Sequence, residues 1–472
     1  MGRATELISR DLGTTVAGLW RENVTGLLPS HRTPGPWTAV VCLLFTWAAV
    51  SEVFDIGYWK RHRTLNYDIE TYYHYLPATI IHGDPLELGY VQPLDSLTLH
   101  PGEGQLAHGV RRIGSTGKDV LKVTCGVALL ELPFFLLAHA YCALFDPTIA
   151  DGYSAPYQLM VSLSAVCSTL LGMLVLAVFL RRYTHDRAIA CALLVLGLGT
   201  NLFFYSTVDS GMPHSYLFLL FSVVLERTDA WYRMPTAGKA AMLGVAVGLI
   251  VLIRPLDILV ALIPLLWPSD GKWKLLRGHT VHMVVLLVFA ALPVLPQIAY
   301  WKAATGQWLY WSYEGEGFDL LAPHIIEGLF SYRKGWFVYS PLVLLGFIGM
   351  IVMLGRRDRR PLAWPIAVYF ALTIHFVFSW TTWWYGGGFG CRPMVGPLAL
   401  LALPMALLAE TVIDRSRIAS FVLMVTVVAG VHLNQFQQDQ YLQTILHWDG
   451  MTRERYWEIW GHATWDGLEE FP

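Results

Sequence analysis

Thr124-Cys125-Gly126-Val127-Ala128-Leu129-Leu130-Glu131-Leu132-Pro133-Phe134-Phe135-Leu136-Leu137-Ala138-His139-Ala140-Tyr141-Cys142-Ala143-Leu144-Phe145 is long enough to cross a bilayer, yet it carries Glu131, Pro133 and His139. Ionisable side chains at bilayer depth are costly. The stretch is therefore read as a re-entrant or interfacial helix, and that choice sets the direction of every later segment.

Apolar runs of spanning character fall at 37–57, 124–145, 156–180, 188–207, 213–227, 239–253, 256–268, 280–301, 336–355, 361–380, 393–411 and 417–435. Short loops rich in Lys and Arg stay on the cytoplasmic side. Such loops are Arg181–Arg187, the 227–239 connection (Arg227, Arg233, Lys239), Lys272/Lys274/Arg277, Arg356–Arg360 and Arg415/Arg417, and they alternate with basic-poor connections. Twelve crossings from a cytoplasmic N-terminus would send all of these loops outside. Withdrawing 124–145 leaves eleven crossings, an inside N-terminus, an outside C-terminus and a first outer loop over 58–155. The expected fold is an all-α polytopic membrane protein of about eleven transmembrane helices. Its parts are a cytoplasmic amphipathic segment at 1–36, a membrane domain at 37–435 with a second large outer loop at 302–335, and an outer tail at 436–472.

Composition supports one membrane bundle over several soluble domains: 55% of the 472 residues are hydrophobic and 14% charged, with mean hydropathy +0.46. A formal net charge of -2 gives no electrostatic basis for a nucleic-acid partner. The 19 Trp and 22 Tyr suit long interfacial surfaces. Six scattered cysteines without CxxC spacing imply neither a disulfide framework nor a zinc site. Near the N-terminus, Leu7, Ile8, Leu12, Val16, Leu19 and Trp20 recur at helical spacing, unlike a cleavable signal, and predict a helix on the inner membrane face. The sequon Asn23-Val24-Thr25 would then lie on the wrong side for glycosylation.

The chemistry-bearing residues fall in outer connections. In Asn66–Pro77, helical spacing puts Asp68, Tyr72 and Tyr75 on one face and Glu70 with His74 on another. A partly desolvated carboxylate at the membrane edge suits a general base, whereas a capping Asp68 with an exposed Glu70–His74 pair is the structural alternative. In Tyr205–His214, Asp209 and His214 share one short turn, where capping explains one of them but not both. Arg254 ends an apolar run, fit either to hold a phosphate or to pair with Asp257. Two aromatic loops, Trp308–Glu316 with Tyr310 and Trp380–Arg392 with Trp383, Trp384, three consecutive glycines and Arg392, offer stacking surfaces for sugar rings or an aromatic belt. Arg333 and Lys334 add cations for a lipid phosphate.

In this order and sidedness the chain resembles the GT-C superfamily of membrane glycosyltransferases, such as protein O-mannosyltransferases and lipid A aminoarabinose transferases. The resemblance rests on Asp68-Ile69-Glu70 in the first outer loop, the Lys122–Phe135 loop helix, Asp209, Gly199-Thr200-Asn201-Leu202-Phe203-Phe204-Tyr205 and Leu252-Ile253-Arg254-Pro255. It departs from many members in separating the two acids and in lacking His-Pro-Pro at the start of the loop helix. The resemblance implies inverting transfer of a sugar from a polyprenyl-phosphate donor to a lipid, glycan or protein acceptor on the periplasmic face of a bacterial inner membrane. Asp68 would be the base, with Glu70 and Asp209 assisting. Arg254 would bind phosphate with Arg333, Lys334 or Arg392, while His74, His214, Tyr310, Trp383 and Trp384 line the substrates. A divalent cation, Mg or Mn, on Asp68, Glu70 and Asp209 is a further expectation. The competing class is a transporter or lipid flippase, whose ionisable groups belong near the bilayer midplane.

Overall fold

The computed structural model describes residues 34–91, 109–313 and 315–468. The amphipathic segment expected over 1–36 lies almost wholly outside them, as do the sequon at Asn23 and the acids Glu314, Glu469 and Glu470. The described chain is mostly helical, and seven of its helices are long and apolar enough to cross a membrane.

Among the helices, in chain order, are α1 Pro36–Ile56, α2 Tyr67–Tyr73, α3 Gly126–Phe145, α4 Ala155–Leu180, α5 Asp186–Leu198, α6 Leu202–Thr207, α7 His214–Arg233 and α8 Ala237–Ile253. They continue as α9 Leu262–Leu266, α10 Thr280–Ala291, α11 Leu295–Thr305, α12 Val343–Gly355, α13 Arg360–Phe378, α14 Ala402–Arg415, α15 Arg417–Leu442 and α16 Arg453–Glu458. An antiparallel hairpin, β1 Val110–Ile113 with β2 Lys118–Leu121, sits in the first loop.

Several expected runs are broken where the sequence dictates. The 188–207 run divides at Gly199–Asn201, and 336–355 divides at Ser340-Pro341. The 256–268 run opens as a 3-10 helix, Pro255–Ala261, because Pro255 cannot continue α8. Two bounds shift: α11 runs to Thr305, so the second large loop begins later than 302, and α15 runs to Leu442, seven residues beyond the expected 435.

All five basic connections gather at one end of the bundle. Arg182 bridges Glu226 and Asp229, Asp229 also holds Arg233, His185 meets Asp414, Arg359 meets Glu410, and Trp231 packs on His279. At this end Asp186 caps α1 across the chain, accepting from Trp37 N at 2.8 Å and from Thr38 Oγ1 at 2.6 Å. A carboxylate on a helix N-terminus satisfies open N–H groups and opposes the dipole.

Helix α3 packs beside α4 and makes its polar contacts toward the opposite pole. Thr124 donates to the carbonyl of Leu252 near the end of α8, Glu131 accepts from Tyr216 at the start of α7, and His139 bonds Tyr157 at the start of α4. By length and composition α3 is one of the seven helices able to cross a membrane.

Close packing of α8 on α10 depends on Gly244 and Gly248. A Cβ on Gly248 would stand 2.1 Å from the Ala290 carbonyl oxygen, and one on Gly244 would stand 2.3 Å from that of Leu286. Small residues four apart let helix backbones meet. We expect Gly248→Val to lower stability by about 1–3 kcal/mol through overpacking, read as earlier thermal unfolding in detergent.

Candidate functional site

At the pole opposite the basic loops, four segments far apart in sequence converge. Asp68 comes from the first turn of α2, where a carboxylate is favoured by the helix dipole. Asp209 comes from the turn between α6 and α7, Arg254 from the end of α8, and Arg392 from the segment after the glycine loop. Asp68 Oδ2 lies 3.4 Å from Arg392 Nη1, with the two side chains 36% and 22% exposed. At that exposure the ion pair adds little stability, but the charges remain open to a ligand.

Asp209 senses the same guanidinium. Burial, helped by the nearby Asp68, pushes its carboxyl up to about 6, while Arg392 and Lys334 oppose the rise. His214 faces Tyr205 edge-on at 4.4 Å and lies in the field of Arg392, Arg254 and Asp68. Arg254 donates to the Pro393 carbonyl at 2.8 Å and lies 3.6 Å from Asp257. Arg254 therefore shows the expected pairing with Asp257 and, beyond what its sequence suggested, supports the Arg392 segment.

The glycine loop exists to let the backbone pass Arg392 and Tyr205. Gly388 has φ +129°, and a Cβ there would fall 2.7 Å from the Tyr205 hydroxyl and 3.5 Å from Arg392 Cδ. Neither the dihedral nor the space admits a side chain. Asn201 and Tyr205 donate to the Phe389 carbonyl at 3.3 and 3.2 Å, and Gly388 N donates to the Tyr441 hydroxyl at 3.0 Å. The Gly199–Tyr205 segment thus acts as the seat of this loop, a role its sequence did not disclose.

Other expected site residues go elsewhere. Glu70 and His74 are fully buried on the opposite side of α2, where His74 Nδ1 bonds the Tyr153 hydroxyl at 2.8 Å and Glu70 lies in the field of Tyr153. Burial lowers His74 to about 3, so it is neutral and forms no exposed ion pair. From the loop that carries Tyr310, it is Tyr313 that lies in the field of Asp68, Arg392 and Arg254, with Tyr72 beside it. Trp383 stacks on His324, and Trp384 lies beneath Arg333, whose guanidinium carbon is 3.7 Å from the ring centre.

Arg333 and Lys334 do not present free cations to a phosphate. They staple the C-terminal segment: Arg333 bonds the Asp449 carboxylate at 2.9 Å, and the Lys334 ammonium donates to the carbonyls of Gly388 and Trp448. Lys334 is 3% exposed. Burial and then the charge of Arg392 and Arg333 pull it down to about 7, against the pull of Asp449 and Asp209. Because the folded value lies below the unfolded one, the unfolded chain holds the extra proton between about pH 7 and the ordinary lysine range. Lys334 therefore contributes stability above that range that is lost as pH falls through 7, on the order of a few kcal/mol. Thermal unfolding in detergent is expected to show this rise with pH in the wild type and a flatter profile in Lys334→Met.

Among the described residues no three His, Cys, Asp or Glu side chains gather as a metal-holding group. The set expected to hold Mg or Mn is divided: Glu70 is fully buried in the field of Tyr153, and the positive charge beside Asp68 and Asp209 is the Arg392 guanidinium. That set does not fit a divalent cation.

No protein-family model, curated protein or solved structure matches this chain. The functional reading therefore rests on the site and on the sequence resemblance. Two carboxylates, two guanidiniums and several phenols at one pole are equipped to remove a proton from a hydroxyl and to stabilise an oxyanion beside it.

Proposed function

We propose that the chain is an inverting membrane glycosyltransferase that moves a sugar from a polyprenyl-phosphate donor to a lipid, glycan or protein acceptor. The observation that carries this reading is the convergence of Asp68, Asp209, Arg254 and Arg392 from separate connections onto one pole. The GT-C resemblance of those same connections supports it. Eleven crossings with the basic loops inside follow from the positive-inside rule. The site then faces the periplasm of a bacterial inner membrane, where lipid-linked sugars can be presented.

In this mechanism Asp68 takes the proton of the acceptor hydroxyl as its oxygen attacks the anomeric carbon. The bond from that carbon to the phosphate oxygen breaks, and its electron pair leaves with the polyprenyl phosphate. Attack opposite the leaving group inverts the configuration. Phosphate is a weak base, so charge stabilisation by Arg392 and Arg254 outweighs any need for a proton donor. Asp209, sharing the field of Arg392, orients the acceptor with His214, and Tyr72 and Tyr313 wall the site.

The test supplies membranes containing the protein with a panel of radiolabelled polyprenyl-phosphate sugars. Transfer of label to a chloroform-insoluble or lipid-extractable acceptor, dependent on the protein, is the expected result. No transfer from any donor, with labelled lipid instead redistributed between leaflets, would favour a flippase.

A further inference from the structure

A short finger of the second large outer loop is pinned to the end of α13. Asp319 N donates to the Ser379 carbonyl at 2.7 Å, and His324 N donates to that of Phe378 at 2.8 Å. Between these two anchors the chain makes a tight excursion. Asp319 Oδ1 accepts from Leu321 N and Ala322 N, both at 3.2 Å, which rigidifies the turn and satisfies its backbone. Beside it, Phe318 pairs with Trp380 in an isolated antiparallel bridge, their rings 4.8 Å apart.

The excursion carries its apolar side chains outward. Leu321 is 98% exposed, and Leu320, Phe318, Ile326 and Phe330 are exposed around it. A pinned turn is not free to fold these groups away. Its depth is set as well, since α13 is one of the helices long and apolar enough to cross a membrane and its last residue is Phe378. A turn hydrogen-bonded to the carbonyls at that helix end sits at the hydrocarbon boundary. Irregular backbone is tolerated there when its polar groups are satisfied.

We infer that Asp319–His324 is a rigid apolar finger inserted into the outer-leaflet lipid at the boundary of acyl chains and headgroups. The finger is also tied to the candidate site. Trp380, its bridge partner, lies 5.9 Å from the ring of Tyr313 and donates to Glu316 at 2.8 Å. Lipid contact at Leu321 is thereby joined through Trp380 to the tyrosine that walls Asp68 and Arg392. The inference rests on the membrane reading and stands whether or not the chain transfers sugar.

The test places bimane on Leu321→Cys and, separately, on Ala322→Cys in the full chain, reconstituted in phosphatidylcholine nanodiscs. Wild-type protein treated alike supplies the background from native cysteines. Gel filtration of each variant confirms the fold. The expected result is quenching by a shallow doxyl-labelled lipid at least twofold stronger than quenching by aqueous iodide at both positions. Dominant iodide quenching would show the finger in water and overturn the inference. A blue-shifted label quenched by neither reagent would show a protein partner or second copy on the finger, and would overturn it equally.

Discussion

Asp68→Asn is expected to abolish sugar transfer while the donor still binds. Asn keeps the size and one hydrogen-bonding oxygen of Asp but cannot accept the acceptor proton. A positioned general base contributes about 10²- to 10⁴-fold, so the loss falls on kcat, with the KM for donor little changed. The structure favours Asp68 for this task because its carboxylate is the more open of the two facing Arg392, whereas Glu70, two residues away, is buried against Tyr153. Glu70→Gln is accordingly expected to disturb packing of the first loop more than chemistry. The measurement is initial transfer rate against donor concentration for each variant in reconstituted membranes. Full transfer by Asp68→Asn would refute the assignment.

Arg392→Ala is expected to be nearly as damaging, by a different route. Removing a preorganised charge beside a developing oxyanion costs on the order of 10²- to 10³-fold in kcat. It also leaves Asp68 and Asp209 facing each other without their shared cation. Burial raises the Asp209 carboxyl and Arg392 opposes the rise, which leaves it at about 6. Without it that carboxyl rises further, and the acid limb of the pH–rate profile shifts to higher pH. Arg254→Ala should act more on the KM for donor, because Arg254 reaches the Arg392 segment through the Pro393 carbonyl and is already balanced by Asp257. A parallel pH–rate series on the three proteins separates the two roles. An unshifted acid limb in Arg392→Ala would remove Arg392 from the field of the carboxylates.

The sequence determined, by itself, that this is a helical membrane bundle. It also grouped the five basic loops and picked out Asp68, Asp209, Arg254 and Arg392. Hydropathy and loop charge are local and additive along the chain, so they survive without knowledge of contacts. The ionisable residues of 124–145 were also legible as a cost to be met, because Glu131 and His139 carry a penalty wherever the neighbours lie; the structure supplies their polar partners in Tyr216 and Tyr157. What only the tertiary structure decided is pairing. Arg392 reaches Asp68 across 324 residues, and no local pattern distinguishes that arginine from Arg333, which is spent on Asp449. Lys334 reads as a phosphate ligand until Gly388 and Trp448 are seen to take its hydrogen bonds. Glu70 and Asp68 differ only by the face of a short helix, yet one is sealed in the loop core and the other opens on the site. Which face is sealed depends on what packs against it, and that is a property of the assembled bundle.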